Sequence, residues 1–81
     1  MKDLIFKIDE IYIPTKRSNE VDPERVEEIA ESILEEGQQV PIMVRDDGKR
    51  KILVEGLQRL EACKSLGEET IVGIIVQARQ R

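Results

Sequence analysis

Apolar and polar positions change their period several times along the 81-residue chain. In LIFKIDEIYI, residues 4–13, Ile5 alternates with Lys7 and β-branched residues are frequent, which predicts a strand near residues 3–8 closed by a turn at Asp9 and Glu10. The segment IPTKRSNEVDPER that follows reads as a polar connection, and Asp22 before Pro23 places a cap and a first-position proline in helix-start order. From Pro23 to Glu36, Val26, Ile29, Ala30, Ile33 and Leu34 recur at helical spacing. Glutamates occupy the other faces, and Gly37 supplies a left-handed stop.

Beyond that helix, VPIMVR and KILVE are short β-rich runs separated by DDGK, whose Asp-Gly pair predicts an antiparallel hairpin. EGLQRLEACKSLG, residues 55–67, reads as a strand end running into a short helix. IVGIIV, residues 71–76, is the last strand, apolar at successive positions, so it is either covered on both faces or interior to the sheet. The order strand, helix, strand, strand, helix, strand predicts an α+β domain, a small mixed β-sheet with helices packed on it, occupying residues 1–81 as one unit.

Composition narrows the chemistry. The net charge of −4 argues against coating nucleic acid by general attraction, and Tyr12 and Phe6 are the only aromatic rings on which a base would stack. Lys49, Arg50 and Lys51 form one basic cluster and Arg79 with Arg81 another; each reads either as a solvated charged surface or as a local contact to a nucleic-acid backbone. One cysteine, Cys63, excludes an internal disulfide, and the lack of histidine excludes a histidine base or histidine-ligated zinc. No apolar run approaches the roughly 20 residues that cross a bilayer, so the expected location is cytoplasmic.

The stretch 55–67 carries the most informative residues. At about 100° per residue, Leu60, Ala62, Cys63 and Leu66 share one arc of the helix, and Arg59 projects near its middle. A guanidinium so placed keeps its proton and needs an anionic partner, either a carboxylate such as Glu55 or a glutamate of the first helix, or a ligand phosphate. Gly56 precedes it at the strand–helix junction, where glycine permits a tight turn and close approach of a ligand. The free amides of Leu57, Gln58 and Arg59 would then converge with the helix dipole and Arg59 on one anion.

Two segments, EEIAESILEEGQQVPIMVR and VEGLQRLEACKSLGEETI, resemble the N-terminal domain of ParB-type partition proteins and of sulfiredoxins, which share one fold. The resemblance runs from about Ile8 to Val76. It implies that Gly56, Arg59 and Ala62 match a G-x-x-R-x-x-A box that holds nucleotide phosphates at a helix start, supported by the Q-x-P segment Gln39 and Pro41. It further implies that Arg25 and Ser32, two helical turns apart, line the same groove as nucleotide contacts.

Departures qualify what carries over. Where sulfiredoxins have a reactive cysteine and then a histidine before the box arginine, this chain has Leu57 and Gln58, so a sulfiredoxin-type reductase is not expected and Cys63 is read as a core residue. The second arginine of ParB proteins is likewise Gln58. The resemblance therefore implies a nucleotide-binding domain for ATP, ADP or CTP, with Mg²⁺ accompanying a triphosphate. Slow hydrolysis is a possible activity, with Glu55, and Glu61 in the same helix, as the carboxylates near the phosphates. The alternative is a DNA-associated partition or transcription accessory protein. Base identity and oligomeric state stay open.

Overall fold

A computed structural model of the chain describes residues 3–38 and 40–76. Strand β1 (Leu4–Lys7) runs into a 3-10 turn (Ile8–Glu10), strand β2 (Ile11–Tyr12) and a short helix α1 (Thr15–Ser18). Helix α2 (Pro23–Glu36), strands β3 (Ile42–Asp46) and β4 (Lys51–Glu55), helix α3 (Leu57–Ser65) and strand β5 (Thr70–Ile75) follow. The fold class is the expected α+β mixed sheet. The segment read as a wholly polar connection contains α1, and β2 just before it pairs parallel to β4, Ile11 against Lys51 and Tyr12 against Ile52. A two-residue strand whose partner lies some 40 positions away has no period of its own to detect.

The strand order is β1-β5-β3-β4-β2. β5 lies inside the sheet, antiparallel to β1 and parallel to β3, and this satisfies its continuous apolar character. The predicted hairpin forms between β3 and β4, with a register shift between Met43 and Val44. Its tip is built by aspartates: Asp46 Oδ1 accepts from the Gly48 amide at 2.8 Å, and Asp47 Oδ1 accepts from the amides of Lys49 and Arg50, each at 3.0 Å.

α2 starts as its sequence predicts, with Asp22 Oδ1 accepting from the Glu24 amide at 3.1 Å and Pro23 in the first turn. It ends at Gly37, whose φ of 80° suits glycine and whose amide donates to Ile33 O at 2.7 Å. Ala30 is buried, and Ile33 packs on the core. Leu34, counted on the same apolar stripe, instead stands 73% exposed, because one residue past Ile33 the helix has rotated about 100° away from α3. Leu60, Ala62 and Cys63 of α3 are each at most 2% exposed, and Leu60 and Cys63 share one core cluster with Ile42, Val44 and Ile71 of the sheet. Each such buried aliphatic side chain contributes roughly 1.5–3 kcal/mol relative to exposure.

One clamp has no counterpart in the sequence reading. The Gln38 side-chain amide pairs with both backbone groups of Val72: Nε2 donates to Val72 O and Oε1 accepts from Val72 N, each at 2.8 Å. The side chain thus extends β3's ladder backwards by one rung, holding the exit of α2 to β5. Gln39, assigned to the Q-x-P segment, lies outside the described residues, as do Arg79 and Arg81.

Candidate phosphate site at the mouth of the third helix

α3 begins at Gly56, which has φ 109° and ψ 27°, a left-handed conformation that costs other residues free energy. A second constraint acts on the same residue. A Cβ here would lie 2.7 Å from Ile42 Cγ2 and 3.2 Å from Ile42 Cα, so the glycine is required by strand β3 behind it. The glycine thus permits a close approach of its own sheet.

The backbone then climbs directly into the helix, the Leu60 amide donating to Gly56 O at 2.8 Å. The amides of Leu57, Gln58 and Arg59 precede the first intrahelical bond, no side chain caps this end, and no acid occupies the first turn. The mouth is therefore an uncompensated partial positive charge with free donors. Leu57 contributes only its amide, since its side chain is 3% exposed and belongs to the core.

Arg59 sits half-buried beside this mouth. Among the described residues its guanidinium has no ion-pair or hydrogen-bond partner; neither Glu55 nor any described glutamate of α2 reaches it. The carboxylate alternative raised by the sequence is thus not realised. Next to the guanidinium opens a hollow of about 240 Å³, whose walls are Gly56, Gln58 and Arg59 from α3, Glu55 from β4, Arg25 and Ile29 from α2, and Glu20. A second hollow, about 140 Å³, continues along α2 past Ser32 to Gly37. Both are lined by Arg25, Ile29 and Arg59, so they form one groove between α2 and the start of α3. This groove brings together every binding residue named from the sequence: Gly56, Leu57, Gln58, Arg59, Arg25 and Ser32. Glu55 stands at its end.

Arg25 is only loosely engaged, its Nη1 4.0 Å from Glu28 Oε1 with both side chains largely exposed, a geometry worth little in water. Glu61 is not part of the site. It pairs with Lys64 Nζ at 3.4 Å and lines a separate, more apolar groove between α2 and α3. Cys63 lies beneath, 2% exposed, its thiol pushed above its ordinary value chiefly by burial and further by Glu68, with Arg59 opposing. Among the described residues no group of three or more Cys, Asp or Glu side chains forms a metal cage.

The basic hairpin offers less than its sequence promised. Lys51 Nζ is 3.5 Å from Asp46 Oδ2, Arg50 Nε is 3.7 Å from Asp47 Oδ2, and the Arg50 guanidinium lies 4.0 Å over the Tyr12 ring. Two of its three cations, and one of the chain's two aromatic rings, are engaged with each other and with the hairpin's own acids.

Sequence reasoning missed what Gln58 does with its side chain. Oε1 accepts from the Asp22 amide and Nε2 donates to Glu20 O, both at 2.9 Å, joining positions 36 and 38 residues apart. Glu20 was likewise missed as a wall of the groove. No local signal marks either residue, because the contact exists only once α2 has been laid against α3.

Comparison with known proteins gives a consistent picture. The family model for the ParB N-terminal domain matches residues 5–81. Sulfiredoxin from Arabidopsis thaliana superposes with a TM-score of 0.87 at 29% identity, over 96% of this chain and 88% of that one. A C-terminally truncated chromosome-partitioning protein ParB from Caulobacter crescentus, complexed with CTP-gamma-S, gives 0.80 at 21% identity, over 99% of this chain and 47% of that one. A free serine kinase mutant in complex with AMP gives 0.80 at 15% identity, over 94% and 31%. The chain thus spans about half of that ParB structure and about a third of the kinase. The comparison with curated proteins finds no match.

Proposed function

This chain belongs to the ParB N-terminal domain family, and from that premise we propose that it binds a nucleotide, ATP, ADP or CTP, by its phosphates in the groove between α2 and α3. The observation that carries the reading is Arg59, a half-buried guanidinium without a described protein partner at the uncapped mouth of α3. A cation beside a positive helix end is unfavourable unless an anion completes it, and a phosphate meets both needs at once. The amides of Leu57, Gln58 and Arg59 donate to phosphate oxygens, and the fork of Arg59 takes two oxygens of one group. Arg25 and Ser32, further along the groove, face the remainder of the ligand. The CTP-gamma-S complex of ParB and the AMP complex of the serine kinase, both of this fold, support the choice of ligand class.

Magnesium fits this arrangement as a companion of the phosphates. An ion of this kind keeps most of its shell from phosphate and water and needs only one or two protein carboxylates, and Glu55 stands at the groove's end. When bound, the ion would neutralise phosphate charge. In slow hydrolysis, the activity proposed for this site, Glu55 is the carboxylate that would accept a hydrogen bond from an attacking water. A DNA-associated role ranks second, because Arg50 and Lys51 are engaged within the hairpin.

A thermal-shift screen of ATP, ADP, CTP and GTP, with and without Mg²⁺, tests the reading. At least one nucleotide is expected to raise the melting temperature, and to do so weakly or not at all for Arg59→Ala. Equal shifts for both proteins, or none for either, would overturn it.

A further inference from the structure

We propose that Gln58 is a positioning residue for this groove: its side-chain amide ties the start of α2 to the mouth of α3, and so fixes the spacing of Arg25 and Arg59. The inference rests on the nucleotide reading of the same groove. Arg25 is the third residue of α2 and Arg59 the third residue of α3. Each guanidinium therefore projects from a helical first turn, where a positive charge is disfavoured. Both also line both halves of the groove, so two like charges face one hollow. Asp22 and Glu24 offset part of this at α2; the first turn of α3 holds no acid.

The Gln58 amide opposes that tendency to splay. It donates to Glu20 O and accepts from the Asp22 amide, and Asp22 in turn caps α2 through Oδ1. The chain from Gln58 through Asp22 to Glu24 is a continuous hydrogen-bonded link between the two helix starts. Only a primary amide of this length both donates and accepts here; a carboxylate accepts only, and a thioether cannot donate and accepts weakly. The side chain turns toward the loop, so its effect on a ligand is exerted through the wall it holds, while its own backbone amide faces the mouth. With the two helix starts held at a fixed separation before the ligand arrives, binding need not bring them together, and affinity rises by the cost avoided.

The test uses the full chain with MgATP and MgCTP, following whichever the wild type binds more tightly, by titration calorimetry. Gln58→Met is expected to weaken binding at least fivefold. A double-mutant cycle of Arg25→Ala and Arg59→Ala is expected to be non-additive in the wild-type background and additive in the Gln58→Met background, a change that loss of stability alone would not produce. Should Gln58→Met fail to fold, Gln58→Asn, which is neutral but one methylene too short to hold both partners, carries the same expectation. If the Gln58 variants bind as tightly as wild type, or leave the coupling between the arginines intact, while Arg59→Ala loses affinity, the positioning role is wrong and the nucleotide site stands. If Arg59→Ala itself binds normally, the site is wrong and this inference falls with it.

Discussion

Gly56 and Ile42 are packed so closely that a methyl group on the glycine would sit 2.7 Å from Ile42 Cγ2. The contact places the first turn of α3 directly against β3, and so aims the free amides of Leu57, Gln58 and Arg59 outward into the groove. Sheet packing and anion site share one residue.

That relationship makes Gly56→Ala a stability variant as well as a binding variant. The left-handed conformation at φ 109° and the clash with Ile42 each oppose a side chain, together costing about 2–4 kcal/mol. Urea denaturation is expected to show a clearly lower midpoint for the alanine variant. An unchanged midpoint would mean that α3 does not start in this conformation.

Cys63 is expected to be chemically silent in the folded protein. Its side chain is buried in the core and burial holds the thiol protonated, so little thiolate exists at neutral pH and little of it is reachable. Alkylation by iodoacetamide at pH 8 should be slow in buffer and fast in denaturant. Equal rates would show that α3 is not packed on the sheet as described.

Asp47 makes stability depend on pH in a defined direction. Hydrogen bonds from the Lys49 and Arg50 amides, helped by Arg50 and Arg45, hold its carboxyl below the ordinary value. A group with a depressed folded-state value stabilises the fold above its unfolded value, about 3.9, and that contribution is lost as pH falls through the lower folded value. The gap in urea midpoint between wild type and Asp47→Asn should therefore be present at pH 6 and shrink on acidification below about pH 4. A gap that is constant or widens with acid contradicts this origin.

The parts legible in the sequence are those with a local cause. α2 was readable from its cap, its proline and its apolar spacing, and the hairpin from Asp47–Gly48 between two β-rich runs. Arg59 drew attention because a cation at a helix start conflicts with the dipole, and the open groove beside it is what that conflict called for. What escaped notice depends on partners far along the chain. β2 exists only because β4 accepts it, Gln38 matters only because Val72 lies beside it, and Gln58 acts only on backbone 36 and 38 residues away. At Gly56 the tight turn is legible from its place between strand and helix, whereas the contact with Ile42 is not.

Whether an anion completes the pairing of Arg59 is decided by titrating ATP, ADP and CTP with Mg²⁺ into wild type and Arg59→Ala by calorimetry. One charge-assisted contact is worth about 1.5–3 kcal/mol, so Arg59→Ala should lose more than tenfold in affinity with the apo variant still folded. Equal affinity in the two proteins, or heat from neither, would contradict it.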